Sequence, residues 1–294
     1  MIGFINPEPS VSQTKQNKKT YETFSSPFQN LSLGAKSALV MDPVSGEVLF
    51  AKNESEILPL ASIAKIMTAY VSHKILEKDQ EIVITPYATE ALGEYGFEIG
   101  DTWTKTDLTN ATLVKSANDG ARALAIESGK DFTTSPEESS QERAFIDLMN
   151  RTAQELDFTS LSFENASGLD KGSRASALGS AEDVAKLFTY ITQEDQSILE
   201  STTYDDFRTS VGGYNYRYLN TNSIINQIPN VIASKTGFTD LAGGNLGIVY
   251  DSGLNQPIVI VVLGSTREGR FGDVHGLIKA TEGYLVETGA RDSI

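Results

Sequence analysis

Ser62 and Lys65 stand three residues apart in Leu58-Pro-Leu-Ala-Ser-Ile-Ala-Lys65, just after a proline and inside a run with helical apolar spacing. On a helix, residues three apart share a face with β-carbons about 5 to 6 Å apart, so the Lys65 ammonium can reach the Ser62 hydroxyl. A serine hydroxyl is a weak nucleophile until a base takes its proton. A lysine can be that base if burial and a neighbouring positive charge lower its pKa. The helix N-terminus would add partial positive charge where an oxyanion forms. The pair alone is not distinctive: the 29 Ser and 15 Lys of the chain give about one and a half such pairs by chance. Ser12 and Lys15, in a stretch with no helical pattern, form one such chance pair.

Two further groups could serve the same chemistry. Ser116-Ala-Asn118 precedes a helical run, and its hydroxyl and carboxamide can both point into a cleft, one relaying a proton and the other bonding a substrate carbonyl or amide. The plain alternative is helix capping. Lys235-Thr236-Gly237 ends the strand-like run that starts at Val231. A cation, a hydroxyl and a glycine at a strand edge suit a substrate carboxylate bound alongside, although a strand ending in a turn reads the same way.

Composition narrows the field. The 24 Lys plus Arg against 39 Asp plus Glu give a net charge of −15, which repels nucleic acid and anionic membranes, so no nucleic-acid partner is expected. The sign itself reads as a solvated surface. Zero cysteines and two histidines remove disulfides, thiol nucleophiles and thiolate zinc sites. His73 and His275 fall in helical runs and read as surface or satisfied histidines, not as catalytic bases. No metal or cofactor is expected. No stretch reaches the eighteen or so consecutive apolar residues of a membrane span, and Met1 to Asn6 is too short for a signal peptide's apolar region. An exported form would have its targeting segment before residue 1 or already removed. The sequons at Asn30, Asn53, Asn110, Asn150 and Asn165 read as coincidence.

The elements that must carry these residues follow from periodicity. Residues 1–36 read as a flexible polar leader. A hairpin is expected over Ser37–Asp42 and Glu47–Phe50, around Pro43 and Gly46. A helix follows Pro59, and a largely helical middle includes Leu108 to Val114, Asp119 to Ser128, Glu138 to Leu156 and Ala181 to Thr192. After Thr209 strands are expected at Tyr214–Leu219, Val231–Lys235, Gly243–Tyr250 and Pro257–Leu263, with a helix over Gly272–Glu287. The fold class is therefore α+β: an antiparallel sheet flanked by helices, with an inserted all-helical lobe. In residues, the catalytic unit is 37–290, its sheet part drawn from 37–60 and 210–290 and its lobe from about 61–209. A cleft between the two parts is the expected site.

Taken in order and spacing, Ser62-x-x-Lys65, Ser116-x-Asn118 and Lys235-Thr236-Gly237 resemble the three motifs of penicillin-binding proteins and serine β-lactamases. The flanking blocks Met41-Asp-Pro-Val-Ser-Gly46, Val114-Lys-Ser-Ala-Asn-Asp119, Phe163-Glu-Asn-Ala-Ser-Gly-Leu169, Asn220-Thr-Asn222 and Val262-Leu-Gly-Ser265, with Arg267 and Arg270, are similar to the low-molecular-mass D-alanyl-D-alanine carboxypeptidases. The resemblance covers roughly residues 36 to 288. It implies the β-lactamase/DD-peptidase fold and a penicillin-sensitive serine carboxypeptidase that trims terminal D-alanine from peptidoglycan stem peptides.

Residue by residue, the resemblance makes Ser62 the acylated nucleophile and Lys65 its base. Ser116, assisted by Lys235, would pass a proton to the departing D-alanine. Asn118 would hold the peptide, Thr236 and Lys235 would receive its carboxylate, and the N–H groups of Ser62 and Phe238 beside Gly237 would form the oxyanion hole. Lys235 would supply the second charge that keeps Lys65 partly neutral. The implied partners are stem peptides ending in D-Ala-D-Ala and β-lactams as covalent inhibitors, and the implied location is the cell envelope or outside, with any membrane tether lying beyond this chain. Two departures stand out: Thr221 replaces the Arg that some members carry between the two Asn, and Ser-Ala-Asn-Asp-Gly stands where Ser-Gly-Asn-Asp-Ala is common. A DD-endopeptidase, a serine β-lactamase and a β-lactam sensor without turnover are the alternatives. The lactamase lacks support in a Glu-x-x-Leu-Asn block; Glu164-Asn165 reads instead as a loop on the cleft floor.

Overall fold

An apolar run with no polar alternation can form a strand only where both faces of its sheet are covered, and the runs at 37–41 and 257–265 meet that condition. The computed structural model describes residues 26–289, apart from 92, 94, 95 and 254. Ser26–Gln29 forms a short helix, α1. The hairpin follows as β1 (Ser37–Met41) and β2 (Val48–Lys52), its turn closed by the Gly46 N–H on the Asp42 carbonyl. Leu58–Pro59 is β3, a 3-10 turn spans Ala61–Ile63, and α2 runs Ala64–Ile75.

The lobe continues with β4 (Glu81–Val83), α3 (Pro86–Thr89), β5 (Thr102–Thr104), α4 (Lys105–Lys115), α5 (Asn118–Gly129) and α6 (Glu138–Glu155). The Thr104 hydroxyl caps α4 by accepting from the Asp107 N–H, which starts the helix three residues ahead of its expected apolar onset. Next come β6 (Ser162–Phe163), β7 (Ala177–Gly179) and α7 (Ala181–Asp195), the last capped by Ser180. β8 (Asp206–Val211) and β9 (Tyr214–Leu219) precede β10 (Val231–Thr239), β11 (Gly243–Asp251), β12 (Pro257–Ser265) and α8 (Gly269–Glu287).

The main sheet is antiparallel in the order β10-β11-β12-β1-β2, with Leu39 opposite Val261. Its strands alternate between two cores. Ala38, Val40, Ile258, Ile260 and Val262 pack on one side with Phe28, Val274 and Leu277 of α1 and α8. Leu39, Val259, Val261 and Leu263 pack on the other with Phe188 of α7 and Met67 of α2. A third core, around Trp103, Leu108, Leu124 and Tyr218, lies within the lobe.

Three boundaries differ from the sequence reading. The strand Tyr214–Leu219, assigned to the main sheet, pairs instead with β8 and packs on the lobe, so that sheet resumes only at Val231. The lobe is helical in its bulk but adds the short pairs β4–β5 and β6–β7, whose two or three residues are too few to show a period. The flexible leader expected over 1–36 does not hold at its end, where Phe28 and Ala35 are buried; residues 1–25, Ser12 and Lys15 included, lie outside the described residues. Phe28 stacks on Phe50 with centroids 5.4 Å apart and meets Tyr284 at 6.0 Å.

Candidate active site

The turn that carries Ser62 is held from three directions. Its preceding residue, Ala61, has φ +48°, a left-handed conformation that costs a residue with a β-carbon of order 1 to 3 kcal/mol. The surroundings fix it there. Asn245, fully buried on β11, donates from Nδ2 to the Pro59 carbonyl at 2.9 Å, while its Oδ1 accepts from the Gly264 N–H at 2.8 Å. Leu60 donates to the Ala177 carbonyl of β7. β10 then passes so close that a β-carbon on Gly237 would lie 2.7 Å from the Leu60 carbonyl oxygen and 3.2 Å from the Ser62 nitrogen.

Lys65, one turn on and fully buried, points its Nζ into this corner. It donates to Ser62 Oγ at 2.9 Å, Asn118 Oδ1 at 2.8 Å and the Ser167 carbonyl at 2.8 Å. Burial lowers its pKa to about 7, while the charge of Asp119 acts in the opposite sense. Asp119 is itself raised to about 6, by burial against the hydrogen bond from the Gly120 N–H. The Ser167 carbonyl is aimed by the Phe163–Leu169 loop, where Asn165 Oδ1 accepts from the N–H groups of Ser167 and Gly168. Glu164 faces outward to Arg174, while Leu169 of the same loop lines the cleft, in keeping with the reading of this segment as a loop on its floor.

Ser116 ends α4 in a left-handed conformation, φ +61°, which turns its hydroxyl toward the sheet. Lys235, central in β10 and 2% exposed, donates to Ser116 Oγ at 2.9 Å and to the Thr236 carbonyl at 3.0 Å. Burial holds the Lys235 amine well below its ordinary pKa, with further lowering from Lys65 and Arg270. The expected charge effect thus falls on Lys235, and burial is the main cause at Lys65. The capping alternative for Ser116 and Asn118 fails: Ala117 is the N-cap of α5 without a side-chain cap, and the Asn118 carboxamide serves Lys65.

The structure therefore brings Ser62, Lys65, Ser116, Asn118, Lys235, Thr236, Gly237 and Phe238 to one place. A cleft of about 230 Å³ opens above them, lined also by Lys115, Leu169 and Thr221. Thr221 Oγ1 lies 2.6 Å from Thr236 Oγ1. Arg270 donates to the Gly237 carbonyl at 2.7 Å, and its buried Nε has no partner among the described residues. Arg267 lies 4.3 Å from the centroid of the Phe238 ring. Three cationic side chains thus line the cleft of a strongly acidic protein. The Ser167 carbonyl, Asn245 and Ala61 had no role in the sequence reading; main-chain groups and a buried amide carry no motif of their own. His275 is exposed, and His73 lies far down α2, paired with Asp195 at 3.2 Å, so neither enters the site.

A half-exposed serine bonded to a buried lysine of lowered pKa, in a cleft between a helical lobe and a sheet edge, is the arrangement of a lysine-activated serine nucleophile. The chain belongs to the D-alanyl-D-alanine carboxypeptidase family, whose description matches residues 22–267. It is 30% identical over 270 residues to D-alanyl-D-alanine carboxypeptidase DacF of Bacillus subtilis, covering 89% of this chain and 64% of that protein. It is 30% identical over 242 residues to a D-alanyl-D-alanine endopeptidase of Pseudomonas aeruginosa, covering 79% of this chain and 71% of that one. The chain spans 61% and 62% of two Escherichia coli carboxypeptidases it also matches. Among solved structures, penicillin-binding protein D2 of Listeria monocytogenes in an ampicillin-bound form superposes with a TM-score of 0.73 at 28% identity, over 85% of this chain and 98% of that one.

Proposed function

We propose that the protein is a penicillin-sensitive serine D-alanyl-D-alanine carboxypeptidase acting on peptidoglycan stem peptides. The observation that carries this reading is the Lys65 nitrogen, buried and 2.9 Å from Ser62 Oγ. Neutral Lys65 takes the hydroxyl proton as Ser62 Oγ attacks the carbonyl carbon between the two D-alanines. The oxyanion is received by the Ser62 and Phe238 N–H groups, brought together because Gly237 has no side chain. Ser116 passes its proton to the leaving amine and is resupplied from Lys235. The C–N bond breaks and free D-alanine leaves; Lys65 gives up the proton it took, which replaces the one Lys235 passed on through Ser116, and neutral Lys65 then takes a proton from the water that attacks the Ser62 ester and hands it to Ser62 Oγ as the acid departs. Thr236 offers its hydroxyl to the terminal carboxylate and Arg267 and Arg270 supply the positive field, with Lys235 beneath them, which offsets the Arg that Thr221 replaces. A β-lactam offers the same acyl carbon and would block Ser62. Since peptidoglycan lies outside the cytoplasm, so would the protein.

Intact-mass measurement after incubation with benzylpenicillin tests the nucleophile: wild type gains one drug mass and Ser62→Ala gains none. Acylation of Ser62→Ala would sink the assignment. The likeness to an endopeptidase supports a second reading, cleavage of peptide crosslinks. Release of D-alanine from a pentapeptide, with a crosslinked muropeptide dimer left intact, is the outcome expected here.

A further inference from the structure

Arg270 is only 6% exposed and lies in the first turn of α8, where the helix dipole disfavours a cation. Burying a guanidinium is costly unless it is well partnered, and its usual partner is a carboxylate. Here Nη1 donates instead to a backbone carbonyl, that of Gly237, at 2.7 Å, and Nε has no partner among the described residues. The Phe271 ring lies 4.7 Å from the guanidinium carbon and helps to hold it in place. A buried charge spent on one carbonyl draws attention to what else that carbonyl's peptide group does.

The Gly237 carbonyl and the Phe238 N–H belong to the same peptide group, which is trans, so the two point in opposite directions. β10 is an edge strand of the main sheet, and the direction of its backbone groups repeats every two residues. The Ser234 N–H points off the free edge, where it donates to Thr202 Oγ1 at 3.0 Å. The Thr236 carbonyl points off the same edge and accepts from Lys235 Nζ. Phe238 continues this alternation, so its N–H also points off the edge, into the cleft it lines with Ser62. The Gly237 carbonyl points the other way, toward β11, and there Arg270 meets it. A cationic donor on a carbonyl draws electron density through the amide, which makes the N–H across that peptide a stronger donor.

We propose that Arg270 is a positioning residue for the oxyanion hole: its bond to the Gly237 carbonyl fixes the Gly237–Phe238 peptide and strengthens the Phe238 N–H as a donor to the oxyanion. The inference rests on the reading of Ser62 as the acylated nucleophile. It has Arg270 act through the peptide, beyond the field it adds at the substrate's carboxylate.

The test compares wild type with Arg270→Met on the full chain, using benzylpenicillin labelled with carbon-13 at its β-lactam carbonyl. In the acyl-enzyme this carbon is the Ser62 ester carbonyl, and a stronger oxyanion hole lowers its infrared stretching frequency. Arg270→Met should move that band to higher wavenumber and slow acylation at saturating drug by at least about tenfold. Benzylpenicillin methyl ester, which lacks the carboxylate, should show a loss of the same order. A band at the wild-type position overturns the proposal, as does a loss seen with the acid and absent with the ester, which would mean that Arg270 serves the carboxylate alone. Thermal melts establish folding. Should Arg270→Met not fold, Arg270→Lys decides: its shorter side chain keeps the charge but weakens the bond, so the band should shift in the same direction by less, and an unmoved band overturns the proposal. Wild type that takes up no drug would overturn the reading of Ser62 itself, and this inference with it.

Discussion

Lys65 is completely buried, and burial lowers the pKa of its amine from 10.5 to about 7, against the opposing pull of Asp119 and of three acceptors that favour the charged form. A base acts in its neutral form, so acylation of the enzyme by a fluorescent penicillin should rise with pH through about 7 and then level. Asp119 raises the Lys65 pKa, so Asp119→Asn should move the rising limb to lower pH. Rates measured from pH 5 to 9 decide this; a limb that stays in place would mean that a group other than Lys65 titrates. At this scale most of the site was legible in the sequence. Ser62, Lys65, Ser116, Asn118, Lys235 and Thr236 announce themselves by type and spacing, because their chemistry needs particular side chains. The Ser167 carbonyl does not, because any residue could provide it.

Elements bring those side chains to within hydrogen-bonding distance, and the critical approach is that of β10 to the turn at Ala61. Gly237→Ala would set a methyl group 2.7 Å from a backbone oxygen, and neither partner is the free end of a flexible side chain. We expect a destabilisation of about 1 to 3 kcal/mol in urea unfolding and a loss of acylation rate of at least about tenfold. An acylation rate equal to wild type would show that the turn can retreat without moving Ser62. Asn245 acts from the other side: Asn245→Ala leaves the Pro59 carbonyl and the Gly264 N–H unpaired, at a cost of about 1 to 3 kcal/mol in the same measurement. Long elements with clear period, such as α6, α7 and β10 to β12, were readable from the sequence. β9 was read as a strand of the main sheet and β8 was not read, since a half-exposed hairpin reads alike whether it joins a large sheet or lies on a lobe.

For the molecule as a whole, the N-terminal segment is part of the wall behind the main sheet. Phe28, 3% exposed between Phe50 and Tyr284, closes the face opposite the one that carries α2 and α7. Phe28→Ala should cost about 3 kcal/mol in urea unfolding. The acylation rate of the folded fraction should not change, because the sheet stands between this residue and Ser62. Composition hid this anchor, since a single buried aromatic in a polar stretch gives no periodicity. The strand order carries a further consequence, for synthesis. β1 lies between β2 and β12, and its pairing with β12 joins Ser37 to Leu263. On a growing chain the hairpin β1–β2 emerges early with one edge unpaired, and its missing neighbour arrives only after the whole lobe has been made. Folding must close that loop of more than two hundred residues late and slowly. A ribosome-bound chain stopped before Pro257 should therefore remain protease-sensitive around Ser37–Met41, and release of the full chain should protect it.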